Sequence, residues 1–145
     1  MRQTMIRTLT TILAGAVCMM LAGCGAPGEP YQPMATPASR SVIYLYRPYE
    51  FLGSEATPMI TCGHESIELA AGGYYAFVED SGPVTCAAAT DTKTELKFDA
   101  RAGEQYFIRE DVEPVGLGSH VQLSLMNAAV AGDEIKECNR QGIKQ

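Results

Sequence analysis

Cys62, Gly63 and His64 bring a thiol and an imidazole within two positions of each other, and His120 supplies a second imidazole further along the chain. A cysteine nucleophile works as a thiolate and needs a histidine beside it in space, usually oriented by a third group. No residue pattern here marks that third group. A zinc site takes three or four ligands, commonly with paired spacings, and two separate histidines in turn-rich segments do not provide them. Both histidines are therefore expected on surface turns. Gly116 to His120, GLGSH, has the glycines of a phosphate loop but neither its Lys-Ser/Thr pair nor the strand–helix context it needs. There is no GxSxG nucleophile elbow, and no pair of carboxylates stands apart from ordinary surface charge. The expectation is a chain that is not an enzyme, with no catalytic residue, no metal and no cofactor.

The five cysteines point elsewhere. Met1 to Arg7 carries Arg2 and Arg7 and no acid, and Thr8 to Ala22 follows as fifteen uncharged, largely apolar residues. A membrane-spanning helix needs about 20 such residues. This run is shorter, is diluted by Thr10, Thr11 and Gly15, and matches the charged and apolar regions of a secretory signal peptide. Its ending, Leu21-Ala22-Gly23-Cys24, closely resembles the lipobox of bacterial lipoproteins. That resemblance implies a signal peptide over residues 1–23, diacylglycerol on the Cys24 sulfur, cleavage after Gly23 and acylation of the new amino terminus. The competing reading is a chance cysteine behind an ordinary signal peptide. One acyl chain binds membranes only reversibly, whereas two or more anchor stably. Gly25, where an Asp resembles an inner-membrane retention signal, implies the outer membrane, with the domain facing the periplasm.

Residues 25–40, GAPGEPYQPMATPASR, contain four prolines and no apolar periodicity. Such chains extend by about 3.1 Å per residue, so this stretch would hold a domain up to roughly 50 Å from the lipid surface. Residues 24–40 thus read as the lipidated cysteine with its tether, and 41–145 as one small domain. Loss of Arg2 and Arg7 with the signal leaves 9 basic residues against 17 acidic ones, a net charge near −8. That balance opposes nucleic-acid binding and electrostatic docking on anionic lipid.

Along the domain the apolar pattern has period two. In TKTELKFDA, Lys93, Glu95, Lys97 and Asp99 share one face, and Thr94, Leu96, Phe98 and Ala100 the other. That is a strand with one wet side and one core side. EQYFIRE and HVQLSLM alternate similarly, the latter with Val121, Leu123 and Leu125 on one face. SVIYLYR, TPMITC, YYAFV and PVTCAAAT complete a series of β-prone runs separated by glycine-containing turns. The fold expected is all-β, a compact antiparallel β-sandwich of about seven or eight short strands. AAVAGDEIKEC reads as a short C-terminal helix with Ala128, Ala131, Ile135 and Cys138 on one side, although Gly132 counts against it.

The order of motifs resembles a bacterial lipoprotein family, domain of unknown function 2846. The matching signatures are Tyr44-Leu45-Tyr46-Arg47-Pro48, Gly73-Tyr74-Tyr75, and Ala102-Gly103 followed by Tyr106-Phe107-Ile108-Arg109. The likeness covers about Ser41 to Cys138 and departs at Ser81-Gly82-Pro83, where a Pro-Gly turn is usual. It implies a β-sandwich behind a lipoprotein signal and brings no activity with it.

With Cys18 in the signal and Cys24 lipidated, Cys62, Cys86 and Cys138 remain. An oxidising compartment predicts one disulfide and one leftover thiol. Cys62 shares a face with Ile60, and Cys86 with Val84 and Ala88, so both point inward and Cys62–Cys86 is the favoured pair. Pairs using Cys138, and three buried unpaired thiols, stay open.

RPYEFLGS puts Tyr49, Phe51 and Leu52 in one loop, and VEPVGLG puts Val115 and Leu117 in another. Projecting from one end, the two loops would make an apolar patch for a protein partner. In a small domain short of core, the plainer expectation is that these side chains tuck under the sandwich as end caps. An exposed edge strand is a second docking option. The function expected is a lipid-anchored, non-catalytic binding or accessory module of the cell envelope, its partners a membrane through the lipid and an envelope protein. The alternatives are a structural component of an envelope or secretion complex and, behind it, a thiol-redox protein.

Overall fold

The computed structural model describes residues 26–89 and 94–142; the expected signal peptide over 1–23, Cys24 and Gly25 lie outside the described residues. Nine strands follow in chain order: β1 (Arg40–Arg47), β2 (Met59–Cys62), β3 (Glu65–Glu68), β4 (Gly73–Asp80), β5 (Gly82–Ala89), β6 (Thr94–Ala100), β7 (Gln105–Val115), β8 (Gly118–Met126) and β9 (Asn139–Arg140). Between β8 and β9 stand helix α1 (Ala128–Glu134) and one 3-10 turn, Ile135–Glu137. The fold is all-β, as the period-two pattern predicts. In β6, Leu96 and Phe98 are half-buried and Ala100 buried, while Glu95, Lys97 and Asp99 are exposed. In β5, Val84, Cys86 and Ala88 all face inward.

The strands form a five-stranded sheet, β8-β7-β1-β4-β9, and a four-stranded sheet, β3-β2-β5-β6. The second is antiparallel throughout. The first is mixed, which corrects the wholly antiparallel expectation: β1 runs parallel to β7, and β4 parallel to β9. The chain leaves β1 at Arg47, builds the second sheet around β4, and re-enters beside Val42 at Gln105. That return to the starting end makes the pairing parallel. The switch from β4 to β5 takes a single residue, Ser81, and is followed by Gly82 at φ +132°, a conformation that side chains disfavour.

Ile43, Leu45, Phe77, Ile108 and Val121 of the first sheet pack against Ile60, Cys62, Ile67, Val84 and Cys86 of the second. The opposite face of the first sheet is also covered. Val42, Tyr44, Tyr46, Tyr74 and Phe107 form a second core with Ala131, Ile135 and Cys138. Strand β1 is therefore apolar on both faces, and only Arg40 within it is not fully buried. This explains why SVIYLYR reads as β-prone without alternation. Helix α1 begins at Asn127, whose Oδ1 accepts the Ala129 N–H at 2.8 Å. Its buried side holds Ala131, with Ile135 and Cys138 following, whereas Ala128 is exposed.

The proline-rich stretch does not stand free. Tyr31 sits edge-on to Tyr44 and Tyr74, with ring centroids 5.6 and 5.2 Å away. Its N–H donates to the Cys138 carbonyl at 3.2 Å, and the Met34 N–H to Tyr44 Oη at 2.8 Å. Pro30 bridges to Asn139 beyond β9. The expectation of a tether over residues 24–40 is corrected for this segment: Ala26 to Thr36 belongs to the domain. Three prolines in it remove backbone donors, which suits extended chain, and the Tyr44 and Tyr74 rings with the donors of Asn139, Arg140 and Gln141 give that chain a surface to lie on.

Cys62 and Cys86 are direct partners in the β2–β5 register and form a disulfide, Cα to Cα 4.1 Å, leaving Cys138 buried and free. Replacing both cysteines with alanine is expected to lower unfolding free energy by roughly 3 kcal/mol, read from denaturant midpoints. Non-reducing alkylation of the folded domain should label no thiol, and of the unfolded domain only Cys138. Labelling of Cys62 or Cys86 without reductant would refute the pairing.

Candidate functional site

Strand β1 ends at Arg47, and the loop after it must turn before β2. Arg47 holds that loop from below. Its Nη1 donates to the Ala56 carbonyl at 2.6 Å and to the Leu69 carbonyl at 3.3 Å, and its Nη2 to the Gly53 carbonyl at 2.6 Å. Gly53 has φ +81°, and a Cβ there would lie 2.6 Å from the Val112 carbonyl oxygen, so glycine is required. Glu50 reaches sideways to Arg109 at 3.2 Å, and Arg109 also binds Asp111 and Glu134 at 2.8 Å each. The loop is thus fixed to β7 and α1 by polar contacts, while Ala56 packs against the inter-sheet core.

Its apolar side chains consequently point outward. Phe51 is 82% exposed and Leu117 111%, and Tyr49, Leu52 and Val115 are exposed as well. The end-cap expectation fails for all five. Beneath the loop, Arg47, Glu110 and Val112 leave only a void of about 10 Å³, with Leu52 on its wall, too small to take a side chain. Phe51, Leu52 and Ala56 on one side, and Pro114 and Leu117 on the other, bound a groove of about 510 Å³. Tyr49 and Val115 lie outside its lining. Exposed Glu50, Glu55 and Glu113 surround this end of the domain.

Glu110 lies under the loop. Its side chain is on the inter-sheet face of β7, in phase with Ile108 and Val112, and the residue is 1% exposed. Neither carboxyl oxygen has a hydrogen-bond partner among the described residues. Burial pushes the carboxyl from its ordinary 4.5 up to about 8, Asp111 adding to the rise and the Arg47 charge opposing it. Burial likewise lowers the Arg47 guanidinium, which Glu110 and Glu50 pull back up. Period two places both residues legibly: Arg47 follows Ile43 and Leu45 on the inward face of β1, and Glu110 follows Ile108 on that of β7. Opposite charges in phase with core residues on two strands are the signal in the sequence that marks them.

The other chemically notable residues are dispersed. Cys62 is committed to its disulfide, and His64 has a 97% exposed side chain with Nδ1 3.9 Å from Glu79. His120 is half-buried opposite Glu113 in the β7–β8 hairpin. Burial raises the Cys138 thiol to about 11, so it stays protonated at neutral pH. No group of three His, Cys, Asp or Glu among the described residues is placed to hold a metal. No described helix is long and apolar enough to cross a membrane. No family model matches this chain, and neither a curated protein nor a solved structure does.

The raised Glu110 pKa has a thermodynamic consequence. The folded state holds this proton more tightly than the unfolded chain, so its contribution to stability is full below about 4.5 and is lost as pH rises towards about 8. Glu110→Gln keeps the shape and cannot ionise. Denaturant midpoints of the domain should fall across that pH window, and those of Glu110→Gln should fall distinctly less. Equal slopes would show that Glu110 is ionised throughout.

Proposed function

We propose that this chain is a lipid-anchored lipoprotein of the bacterial cell envelope, held in the outer membrane and facing the periplasm, whose domain binds an envelope protein and performs no catalysis. The observation that carries the binding role is the groove flanked by Phe51, Leu52 and Leu117, whose apolar side chains stand in solvent on a loop pinned from below. Uncovered apolar side chains gathered round a concavity suit a protein partner's apolar anchor. The acidic residues around it, Glu50, Glu55 and Glu113, suit a partner with a basic rim. The anchor rests on the lipobox-like Leu21-Ala22-Gly23-Cys24 behind a charged start and a short apolar run.

The same plan serves a structural component of an envelope or secretion complex, and the stoichiometry of the partner separates the two. A thiol-redox role is poorly served, because two cysteines are paired and the third is buried with a raised pKa.

Two measurements test the proposal. Intact mass of protein extracted from its membrane should begin at Cys24 and include acyl chains. Phe51→Asp and Leu117→Asp should each weaken partner crosslinking about tenfold or more, equivalent to at least ~1.4 kcal/mol, with Tm unchanged. Crosslinking that ignores both substitutions removes the groove from the interface. Turnover of a hydrolase or redox substrate that a single Cys or His substitution abolishes would overturn the non-catalytic reading.

A further inference from the structure

We infer that the phospholipid bilayer lies directly against the β9 edge of this domain, with the Leu117 wall of the groove on the side of the sheet away from the membrane. The inference rests on the lipid-anchor reading and adds to it the surface that meets the lipid.

It starts from the way the amino-terminal segment is fastened. Asn139 Nδ2 donates to the Ala26 carbonyl at 2.7 Å, Gln141 Nε2 to the Pro27 carbonyl at 2.6 Å, and the Arg140 N–H to the Glu29 carbonyl at 2.7 Å. Residues 26–30 therefore border the five-stranded sheet beyond β9, and Tyr31 to Met34 crosses its outer face. Ala26 is itself only 6% exposed. Only Gly25 separates it from Cys24. Two successive Cα–Cα steps of 3.80 Å reach less than about 8 Å. An acylated Cys24 thus places the lipid surface beside Gly28, Arg140, Gln141 and Gly142, which line one open groove at this edge. The roughly 50 Å of reach offered by a free proline-rich chain is not available to a docked one.

Strand order sets what faces away. From β9 to β7 there are three inter-strand steps, β9-β4-β1-β7, or about 14 Å at ordinary strand spacing. The β7–β8 hairpin that carries Leu117 lies on the far side of the sheet from the anchored edge. Charge favours the same arrangement. Glu55 and Glu113 stand exposed at the groove, where Arg109 already pairs Glu50 and Asp111, whereas Arg140 and Glu29 balance in charge at the anchored edge. An anionic leaflet repels the first and tolerates the second.

The sequence has no tryptophan, so one introduced indole reports its own surroundings without background. Gly142→Trp and Leu117→Trp lie on opposite sides of the five-stranded sheet; a side chain added at Gly142 meets nothing within 4 Å among the described residues, and Leu117 is fully exposed. Each variant is to be made as the full chain, extracted from the membrane, checked by intact mass for acylation, and reconstituted into vesicles of phosphatidylethanolamine and phosphatidylglycerol carrying a headgroup quencher. The expected result is several-fold stronger quenching of Gly142→Trp than of Leu117→Trp. Tyr31→Ala combined with Asn139→Ala and Gln141→Ala, which removes the ring contacts and both side-chain hydrogen bonds that fasten the segment, should abolish that difference while retaining the disulfide and the far-ultraviolet spectrum of a β-fold. Acylated protein with neither indole quenched would overturn the inference alone, showing that the domain stands off. Stronger quenching of Leu117→Trp would overturn it by putting the groove on the membrane. Absence of acyl chains at Cys24 would overturn the lipid-anchor reading and this inference together.

Discussion

Strand β1 lies at the middle of the five-stranded sheet, and seven of its eight residues are buried, on both faces. A strand apolar on both sides needs a cover on each, and this requirement organises the molecule. One cover is the four-stranded sheet, stapled internally by Cys62–Cys86. The other is assembled from pieces too short to stand alone: helix α1, the Ile135–Glu137 turn, Cys138 and the Tyr31 segment. None of them has enough apolar surface for an independent core, so each is stable only against Tyr44, Tyr46 and Tyr74.

The second cover links both ends of the described chain. Tyr31 near the start and Cys138 near the end meet over the same tyrosines, and the Tyr31 N–H bonds the Cys138 carbonyl. Beyond β9, the segment from Ala26 to Pro30 also shields a sheet edge, with Pro27 and Pro30 presenting no donors there. An edge finished in this way resists pairing with another chain. At the other edge of the sheet, Thr94 Oγ1 donates to the Val121 carbonyl at 2.7 Å and draws β6 and β8 together. Strand β3, the remaining edge of the second sheet, is four residues long and carries Glu65 and Glu68.

At one end of the sandwich the apolar logic yields to a polar one. Arg47 spends its guanidinium on the carbonyls of a loop that has no apolar core of its own, and Glu110 lies nearby without a hydrogen-bond partner among the described residues. Polar groups buried in this manner cost stability unless satisfied. What they secure is a loop of fixed shape whose apolar side chains are left in solvent. Protonation relieves Glu110 of a charge that burial disfavours, and the guanidinium is satisfied by three carbonyls.

Much of this was legible in the residues themselves. TELKFDA announces β6 with its faces correctly assigned, Lys93 of the same expectation lying outside the described residues, and the inward phase of Cys62 with Ile60 and Cys86 with Val84 indicates the disulfide. These features are local, because a strand's alternation depends only on which neighbours are wet. Sequence alone likewise supplies the lipobox-like Leu21-Ala22-Gly23-Cys24, which is chemical rather than conformational. The parallel pairing of β1 with β7, the two-residue β9, the docking of Tyr31 and the outward turn of Phe51 and Leu117 were decided only in three dimensions. Each depends on which distant surface a segment meets. A proline-rich stretch has the same composition whether it hangs free or lies across two tyrosines, and a loop leucine has the same neighbours in sequence whether or not an arginine and a glutamate already crowd the space beneath it.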